Sequence, residues 1–290
     1  MDILTLIDFI VNGLFLGGLF ALTAFGLSVL AGIMKIINIA HGDFAILAAY
    51  LAFTITAFLG IDPFLSVVIV APIMFVIGYL LQRFIINRLI PRGGFYYPAL
   101  STFALSILIQ NLLLLVFTAD ARTLIPPYLV TSIRIFGLNP SPRFLIAFIS
   151  SIVVFVVIYF FFKKTYLGKA MRAVPFDPRA AKIIGIKSEA IYCFATGLAF
   201  LVTAISGVLL GMTFTFYPDT GPTFVLLSFG VIVMGGWGSL RGSLVGGIIM
   251  GEALSLSGLF FGSRFQLVVC YLLILVILSI KPQGIFGGRV

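Results

Sequence analysis

KKTYLGKAMRAVPFDPRAAKIIGIKSE, residues 163–189, is the one strongly charged interruption in an otherwise apolar chain. The whole sequence has 18 basic and 9 acidic residues, and seven of the basic and two of the acidic ones lie in this stretch. The runs on both sides of it are long and carry almost no charge. A chain with this pattern presents the charged stretch to water, so the stretch fixes how the apolar runs around it are arranged.

The composition indicates that lipid covers most of the chain. Hydrophobic residues make up 61% and charged residues 9%, against about 45–50% and about 25% in soluble domains. At about 20 residues per crossing, 290 residues can cross a bilayer many times. The composition therefore predicts an all-α polytopic membrane protein, with roughly eight transmembrane helices in one domain over residues 1–290. The net charge of +9 is explained by anchoring at the membrane surface, and no nucleic acid is expected as a partner.

Seven apolar runs are long enough to cross, and one region, residues 221–262, is irregular. The apolar part before the break in that region is only 13 residues long, Pro222–Met234. This length predicts a half-helix, so one or two of the segments should be broken or re-entrant. The seven predicted spans are Phe9–Met34, Phe44–Ile61, Pro63–Gln82, Ala99–Ala119, Phe144–Phe162, Ala190–Phe216 and Phe265–Ile280.

The basic residues predict the orientation, because cytoplasmic loops accumulate lysine and arginine. With residues 163–189 inside the cell, thirteen basic residues fall in cytoplasmic loops and four in outer ones. The N-terminus is then outside and the C-terminus cytoplasmic. The main extracytoplasmic loop is residues 120–143, which carry four prolines. Two interpretations of this loop are open: a cap packed over the bundle, or a docking surface for a soluble partner.

The segment 37–44, INIAHGDF, places three polar side chains, Asn38, His41 and Asp43, between apolar spans. Ionisable groups at membrane depth are costly and usually serve ions, protons or substrates. The first interpretation is therefore a polar pathway through the membrane. The second is an interfacial turn, with Lys35 marking the cytoplasmic boundary and His41 capping a helix end.

A second irregular segment, GGWGSLRGS at 235–243, is followed by a helix that contains Glu252. Non-helical backbone within a bilayer is tolerated where it is buried in protein or lines a cavity, and broken helices often form the substrate sites of transporters. The candidate pathway residues here are Trp237, Ser239, Arg241 and Glu252. For Arg241 and Glu252, a structural ion pair or a snorkelling pair is favoured over a proton relay.

Within the charged stretch, residues 177–185 predict a short helix. Asp177 can cap its first N–H groups, Pro178 suits its first turn, and Gly185 is a natural stop. The small side chains of Ala180 and Ala181 give it a flat face. Two interpretations are open: a helix that docks in a groove of another protein, or an amphipathic helix that rests on anionic lipid.

No enzyme chemistry is expected. One histidine excludes the usual zinc spacings, and no Ser-His-Asp set or nucleotide-binding G-x-x-x-x-G-K-[ST] loop is present. No catalytic or metal-binding residues are therefore predicted, and the chain itself should bind no cofactor. Any ATP that drives it must be bound by other subunits.

Five stretches resemble the permeases that bacterial ABC importers use for branched-chain amino acids. They are INIAHGDF at 37–44, LSTFALSILIQN at 100–111, the RA…D…AA…GI pattern within 172–186, GGWGSLRGSLVGG at 235–247 and KPQGIFG at 281–287. They occur in matching order from about residue 12 to residue 287. The chain departs from the family at Trp237 and Arg241, where smaller or less charged residues are expected.

The resemblance implies an importer in the bacterial inner membrane. Its partners would be a second homologous permease, two ATPase subunits that bind ATP, and a periplasmic substrate-binding protein. Residues 163–189 would be the cytoplasmic coupling loop. Its ATPase contacts would be Arg172, Asp177, Ala180, Ala181 and Gly185. The substrate would be a branched-chain or related amino acid.

The sequence is also compatible with other classes of transport protein. Similar permeases import urea, short amides or sugars. An ion-coupled secondary transporter would work without partners and would need an essential carboxylate in the membrane, such as Asp43 or Glu252. A passive channel would conduct without ATP. The basic stretch favours the ABC permease, because neither alternative requires it.

Overall fold

A computed structural model describes residues 3–93, 96–129, 138–177, 181, 183 and 185–286. The regular structure of these residues is helical, and an isolated bridge joins Arg122 to Phe216. The helices are α1 (Ile3–Met34), α2 (His41–Leu59), α3 (Val67–Leu81), α4 (Asn87–Gly93), α5 (Tyr96–Phe117), α6 (Pro142–Lys164), α7 (Tyr166–Ala173), α8 (Ser188–Thr213), α9 (Gly221–Gly235), α10 (Leu240–Phe261) and α11 (Gln266–Ile280).

Eight segments in the described ranges are long and apolar enough to cross a membrane, as predicted. A π-helical turn, Gln82–Ile86, joins α3 and α4 into one of them, Val67–Ile90. The first span is longer than predicted, because α1 begins at Ile3 and includes Asp8. Asp8 sits near the end of the bundle, where its Oδ1 accepts a hydrogen bond from the backbone N–H of Asn139 (2.9 Å).

The bundle has two chemically different ends. The basic end carries Lys35, the C-terminal lysines of α6, and Lys187 before α8. The opposite end carries Asp8 and the turns around Asp62 and Asp120. The orientation was predicted from the basic residues alone, and it stays a prediction.

Helix α1 is the core of the bundle, with 89% of its most apolar window buried. It packs closely against α10, because glycines replace side chains where the two helices touch. A Cβ on Gly17 would lie 2.6 Å from the Cα of Ile248, and a Cβ on Gly247 would meet Ala21 at 2.5 Å. Helices in lipid have no hydrophobic drive to associate, so close backbone contact of this kind stabilises their packing.

The chain turns back into the bundle after α1. Lys35 ends the helix in a left-handed conformation (φ 55°), and its N–H bonds the carbonyl of Ala31. Residues 35–40 then run without helix to the start of α2 at His41. His41 Nε2 lies 2.8 Å from the carbonyl oxygen of Thr23, eleven residues before the end of α1. At 1.5 Å per residue, α2 begins about 16 Å inside the basic end.

A second non-helical segment enters the bundle from the opposite end. Helix α8 ends at Thr213 near the opposite end, and residues 214–220 return into the bundle without regular helix. Helix α9 then starts at Gly221, beside Gly42 of α2, and runs to the basic end at Gly235. Its 15 residues agree with the predicted half-helix.

The charged stretch begins with α7, whose N-cap Thr165 accepts a hydrogen bond from the N–H of Gly168 (3.0 Å). The predicted helix that follows falls partly on residues outside the described ones: 178–180, 182 and 184. Its predicted stop at Gly185 is confirmed. Gly185 has φ 84°, and the N–H of Ile186 bonds the carbonyl of Ala181 (2.9 Å), the pattern of a Schellman cap.

One expectation for this helix is wrong. Ala181 was expected on its docking face, but it is only 4% exposed and packs into the permease itself. Among the described residues of the charged stretch near this helix, Phe176 (90%) and Ile183 (86%) are large, apolar and exposed. The small residue therefore attaches the helix to the bundle, and apolar side chains point away from it.

Candidate functional site

The first turns of α2 and α9 meet in the middle of the bundle. A Cβ on Gly42 would overlap the carbonyl of Gly221 and would lie 2.7 Å from the backbone nitrogen of Val225. A Cβ on Gly221 would overlap the carboxylate of Asp43. The two helix ends can approach this closely only because both residues lack a side chain. We call this contact the helix junction.

Asp43 lies at the helix junction and is 1% exposed. Its Oδ1 accepts a hydrogen bond from Gln110 Nε2 (2.9 Å), and Gln110 is also bonded to Ser106. Its Oδ2 has no hydrogen-bond partner, and no described basic side chain forms an ion pair with it. The positive ends of α2 and α9 both face this carboxylate, and helix N-termini stabilise negative charge. Backbone dipoles thus take the place of a counterion.

His41 is fully buried on the other side of α2. Since a carbonyl can only accept, the bond to Thr23 assigns the proton to Nε2 and leaves Nδ1, which has no partner, as an acceptor. Asn38 is 4% exposed, and its Oδ1 accepts from the N–H of Ala40 (3.1 Å). The interpretation of this segment as an interfacial turn is therefore wrong: its three polar side chains are buried, and His41 and Asp43 lie deep in the bundle.

A cavity of about 430 Å³ opens from the opposite end toward the helix junction. Its polar lining includes Gln110, Asn111, Tyr217 and Asp219. Gln110 therefore contacts both the cavity and the buried carboxylate of Asp43. Gln110 is thus the side chain that links the cavity to the helix junction.

The non-helical segment that precedes α9 is tied to the loop at the opposite end. Arg122 and Phe216 exchange two backbone hydrogen bonds, each 3.0 Å, and the N–H of Leu124 bonds the carbonyl of Gly211 (2.9 Å). The Arg122 guanidinium lies over the ring of Phe53 and 3.5 Å from an Asp120 oxygen. Residues 120–124 and 211–217 are therefore joined through their backbones, and we call this pair of segments the outer clamp.

The remaining predicted residues lie elsewhere. Trp237 and Ser239 form the turn between α9 and α10 at the basic end, where Trp237 packs edge-on against Phe229 and Ser239 caps α10 through the N–H of Gly242. The break in this segment is thus a surface turn. The deep break precedes α9, at residues 214–220.

The predicted ion pair between Arg241 and Glu252 is wrong. Both lie on the straight helix α10, eleven residues apart, so about 16 Å of helix separates them. Arg241 is exposed at the basic end, whereas Glu252 packs against Gly13 in the opposite half. Neither takes part in the one ion pair found among the described residues.

Four residues around the cavity and the helix junction were not predicted as functional from the sequence: Gln110, Tyr217, Asp219 and Gly221. A signal was available in the polar run 217–222, YPDTGP, placed just before a helix too short to cross. Gln110 and Asn111 were quoted for their resemblance but not as pathway residues, because nothing local marks which face of α5 they occupy.

Comparison with known proteins gives a consistent picture. Residues 9–278 match the family described as branched-chain amino acid transport system / permease component. The permease BraD of the high-affinity branched-chain amino acid transport system of Pseudomonas aeruginosa is 30% identical, over 96% of this chain and 94% of its own. The corresponding LivH of Escherichia coli is 27% identical, over 95% and 94%.

Two further similarities are more distant. The ribose import permease RbsC of Bacillus subtilis is 30% identical over 44% of this chain and 42% of its own. Among solved structures, PsaBC from Streptococcus pneumoniae in complex with Fab superposes with a TM-score of 0.51, over 95% of this chain and 92% of that one. At 13% identity this second likeness concerns the fold alone.

Proposed function

The chain belongs to the permease family of branched-chain amino acid transport systems, and from that premise we propose that it is the membrane-spanning subunit of an ATP-driven, binding-protein-dependent importer for a branched-chain or related amino acid. Members of this family are transport subunits and not enzymes. They generally work with ATPase and binding-protein partners. For this chain, the proposed assembly holds a second homologous permease, two ATPase subunits and one binding protein in the inner membrane.

The proposed orientation places the basic end in the cytoplasm, with the N-terminus outside and the C-terminus inside. The exposed lysines and arginines of that end support it through the positive-inside rule. The cavity lined by Gln110 and Asp219 then faces the binding protein. The outer clamp lies beside that cavity, in the loop that we propose as the docking surface.

The single observation that carries the proposed pathway is the helix junction beneath this cavity. Substrate released from the binding protein enters among side chains of mixed polarity, which suit a zwitterion with an apolar side chain. Asp219 offers a carboxylate for an ammonium group, and Asn111, which gives one amide hydrogen to Ile107, keeps a second N–H donor for a carboxylate. Separation of Gly42 from Gly221 opens the route inward. High affinity is left to the binding protein, so few fixed charges are needed.

Movement of the helix junction is coupled to ATP through residues 163–189. The exposed side chains of Phe176 and Ile183 fill a groove of the ATPase subunit, while buried Ala181 and the cap at Gly185 fix the helix to the bundle. Arg172 and Asp177 lie at the edge of this contact. ATP-driven closure of the two ATPase subunits pulls on this helix and through it on the bundle.

The test is reconstitution of the whole assembly in liposomes. Leucine uptake should require ATP, the binding protein and the chain. Ile183→Asp should abolish ATPase association and uptake without changing membrane insertion. Leu65→Asp, an exposed apolar position at the other end (59% against 86%), is the matched control and should retain ATPase association. Full ATPase association in the Ile183 variant would contradict the proposed contact.

Two alternatives have their own outcomes in the same assay. Uptake by the chain alone that disappears on Asp43→Asn or Glu252→Gln would indicate an ion-coupled secondary transporter. The partial similarity to a ribose permease motivates a competition arm with ribose, urea and short amides. If one of these and not leucine is transported, the permease class stands and the substrate assignment is wrong.

A further inference from the structure

A second cavity, of about 540 Å³, lies at the basic end between α1, α6, α7 and the turn before α10. Its walls are mostly apolar, with Val29, Ile33, Phe162, Met171 and Leu240 among the lining residues. It is separate from the helix junction: α1 lines it with residues between Ser28 and Ile33, more than one turn beyond Thr23, which contacts His41. The proposed transport pathway does not use it.

Two cationic side chains, Lys35 and Arg172, line this cavity, and none of the other described lining residues is acidic. Both are exposed, and neither forms an ion pair with a described carboxylate. A zwitterionic amino acid would leave its ammonium group unmatched here. The lining is complementary to an anion that also has an apolar part.

The backbone at Lys35 gives independent support for a role of its side chain. Its φ of 55° is in the left-handed region, which glycine adopts freely and other residues adopt at a cost. A helix stop alone would be made more favourably by glycine. Lysine at this position has the conformational cost of a positive φ and places a charged side chain at the rim of the cavity.

The cavity also contains an unmatched polar group. Ser28 lines it and is 0% exposed, and the Oγ atom of Ser28 has no hydrogen-bond partner. Nearly all buried hydroxyls in proteins are hydrogen-bonded, so an unpaired one calls for an explanation. An oxygen-rich group bound in the cavity would supply the missing acceptor or donor.

The surroundings place the cavity at the membrane surface. Lys163 and Lys164 lie in the last turn of α6, and their Nζ atoms lie 5.7 and 5.5 Å from the ring centroids of Tyr159 and Phe160. Lysines that extend along aromatic side chains at a helix end are typical of the headgroup layer. A lipid headgroup is therefore the nearest anion of the required chemistry.

We propose that this cavity binds one anionic phospholipid, with its phosphate group at Lys35, Arg172 and Ser28 and the start of its acyl chains against the apolar wall. Phe176 and Arg172, which belong to the proposed ATPase-coupling stretch, also line the cavity. A bound lipid would thus contact these two residues and stabilise this part of the coupling stretch. The lipid site itself does not depend on the proposed transport function.

The test is native mass spectrometry of the full-length protein in detergent, titrated with phosphatidylglycerol or with phosphatidylcholine of the same acyl chains. One phosphatidylglycerol should bind more tightly than the others and more tightly than phosphatidylcholine. Lys35→Gln and Lys35→Gly should each weaken it about fivefold, the equivalent of about 1 kcal/mol per basic residue near a membrane surface. Lys187→Gln, an exposed lysine that does not line the cavity, should leave it unchanged.

The variants separate the cavity from surface charge. Lys35→Gly retains a favourable backbone at φ 55°, so it tests the charge without disturbing the fold. Ser28→Ala removes the unpaired hydroxyl and keeps both cations, and it should also weaken the tight site. Equal binding of the two lipids, or an unchanged site in the Lys35 variants, would overturn the proposal. The proposal would also be overturned if the protein bound 4-methylpentanoate but not phosphatidylglycerol, because the cavity would then be a site for a free carboxylate.

Discussion

Replacing Gly42 by alanine tests the helix junction most directly. The new Cβ would lie 2.7 Å from the Val225 nitrogen and closer still to the Gly221 carbonyl, whereas ordinary contact begins near 3.4 Å. Both neighbours are backbone atoms, so no side-chain rotation can relieve the overlap. Overpacking of this kind costs about 1–3 kcal/mol, and replacing a helical glycine regains about 0.5–1 kcal/mol. We expect a net loss of about 1–2 kcal/mol in the free energy of unfolding.

The assay can use the protein's own reporter. Trp237 is the only tryptophan and packs against Phe229 on α9, so its fluorescence reports the unfolding of the bundle around that contact. Unfolding with dodecyl sulfate in mixed micelles should occur earlier in Gly42→Ala. The matched control is Gly258→Ala, also in a helix, where the new methyl meets only the flexible side chain of Gln266. A Gly42 variant as stable as the wild type would refute the tight contact.

Three further perturbations follow from the described contacts. Gln110→Leu removes the hydrogen-bond donor to Asp43 and should lower the unfolding free energy by about 1–3 kcal/mol in the same titration. An unchanged unfolding free energy would mean that this hydrogen bond does not stabilise the protein. Arg241→Gln and Glu252→Gln should be additive, with a coupling energy below about 0.5 kcal/mol in a double-mutant cycle, and a larger coupling would restore the rejected ion pair. Gly185→Ala places a side chain at φ 84°, so it should destabilise the helix cap by about 1–2 kcal/mol and reduce the amount of ATPase subunit that co-purifies. Gly185→Asn should have a smaller effect. Full co-purification of the ATPase subunits with both variants would contradict the role of the cap.

The number of spans, the half-helix and the helix stop at Gly185 were predictable, because each depends on residues close together in sequence. The depth of His41 was not. It depends on a return of residues 35–40 into the bundle, and only the contact with Thr23 reveals that return. Likewise, the helix junction joins Gly42 to Gly221, two glycines that no local pattern connects.

Hydropathy also does not show which helix forms the core. Helix α1 and the last span, Ser263–Ile280, have nearly the same mean hydropathy. Nevertheless, 89% of the apolar window of α1 is buried, against 6% of that of the last span. Lipid and protein interior are both apolar, so neither environment marks the sequence by hydrophobicity. Glycine does mark it, because close helix packing requires small residues: Gly13, Gly17 and Gly18 in α1 each lie against another helix.

The outer clamp has a consequence for genetics. Its three hydrogen bonds join backbone atoms only, at Arg122, Leu124, Gly211 and Phe216. Alanine scanning leaves every one of them in place, so the losses it reports come from side-chain contacts, such as that of Arg122 with Phe53. Proline at position 122 or 124 removes an N–H that the clamp needs. The contribution of the backbone linkage between the outer loop and the segment before α9 is therefore separated from side-chain effects only by a proline scan.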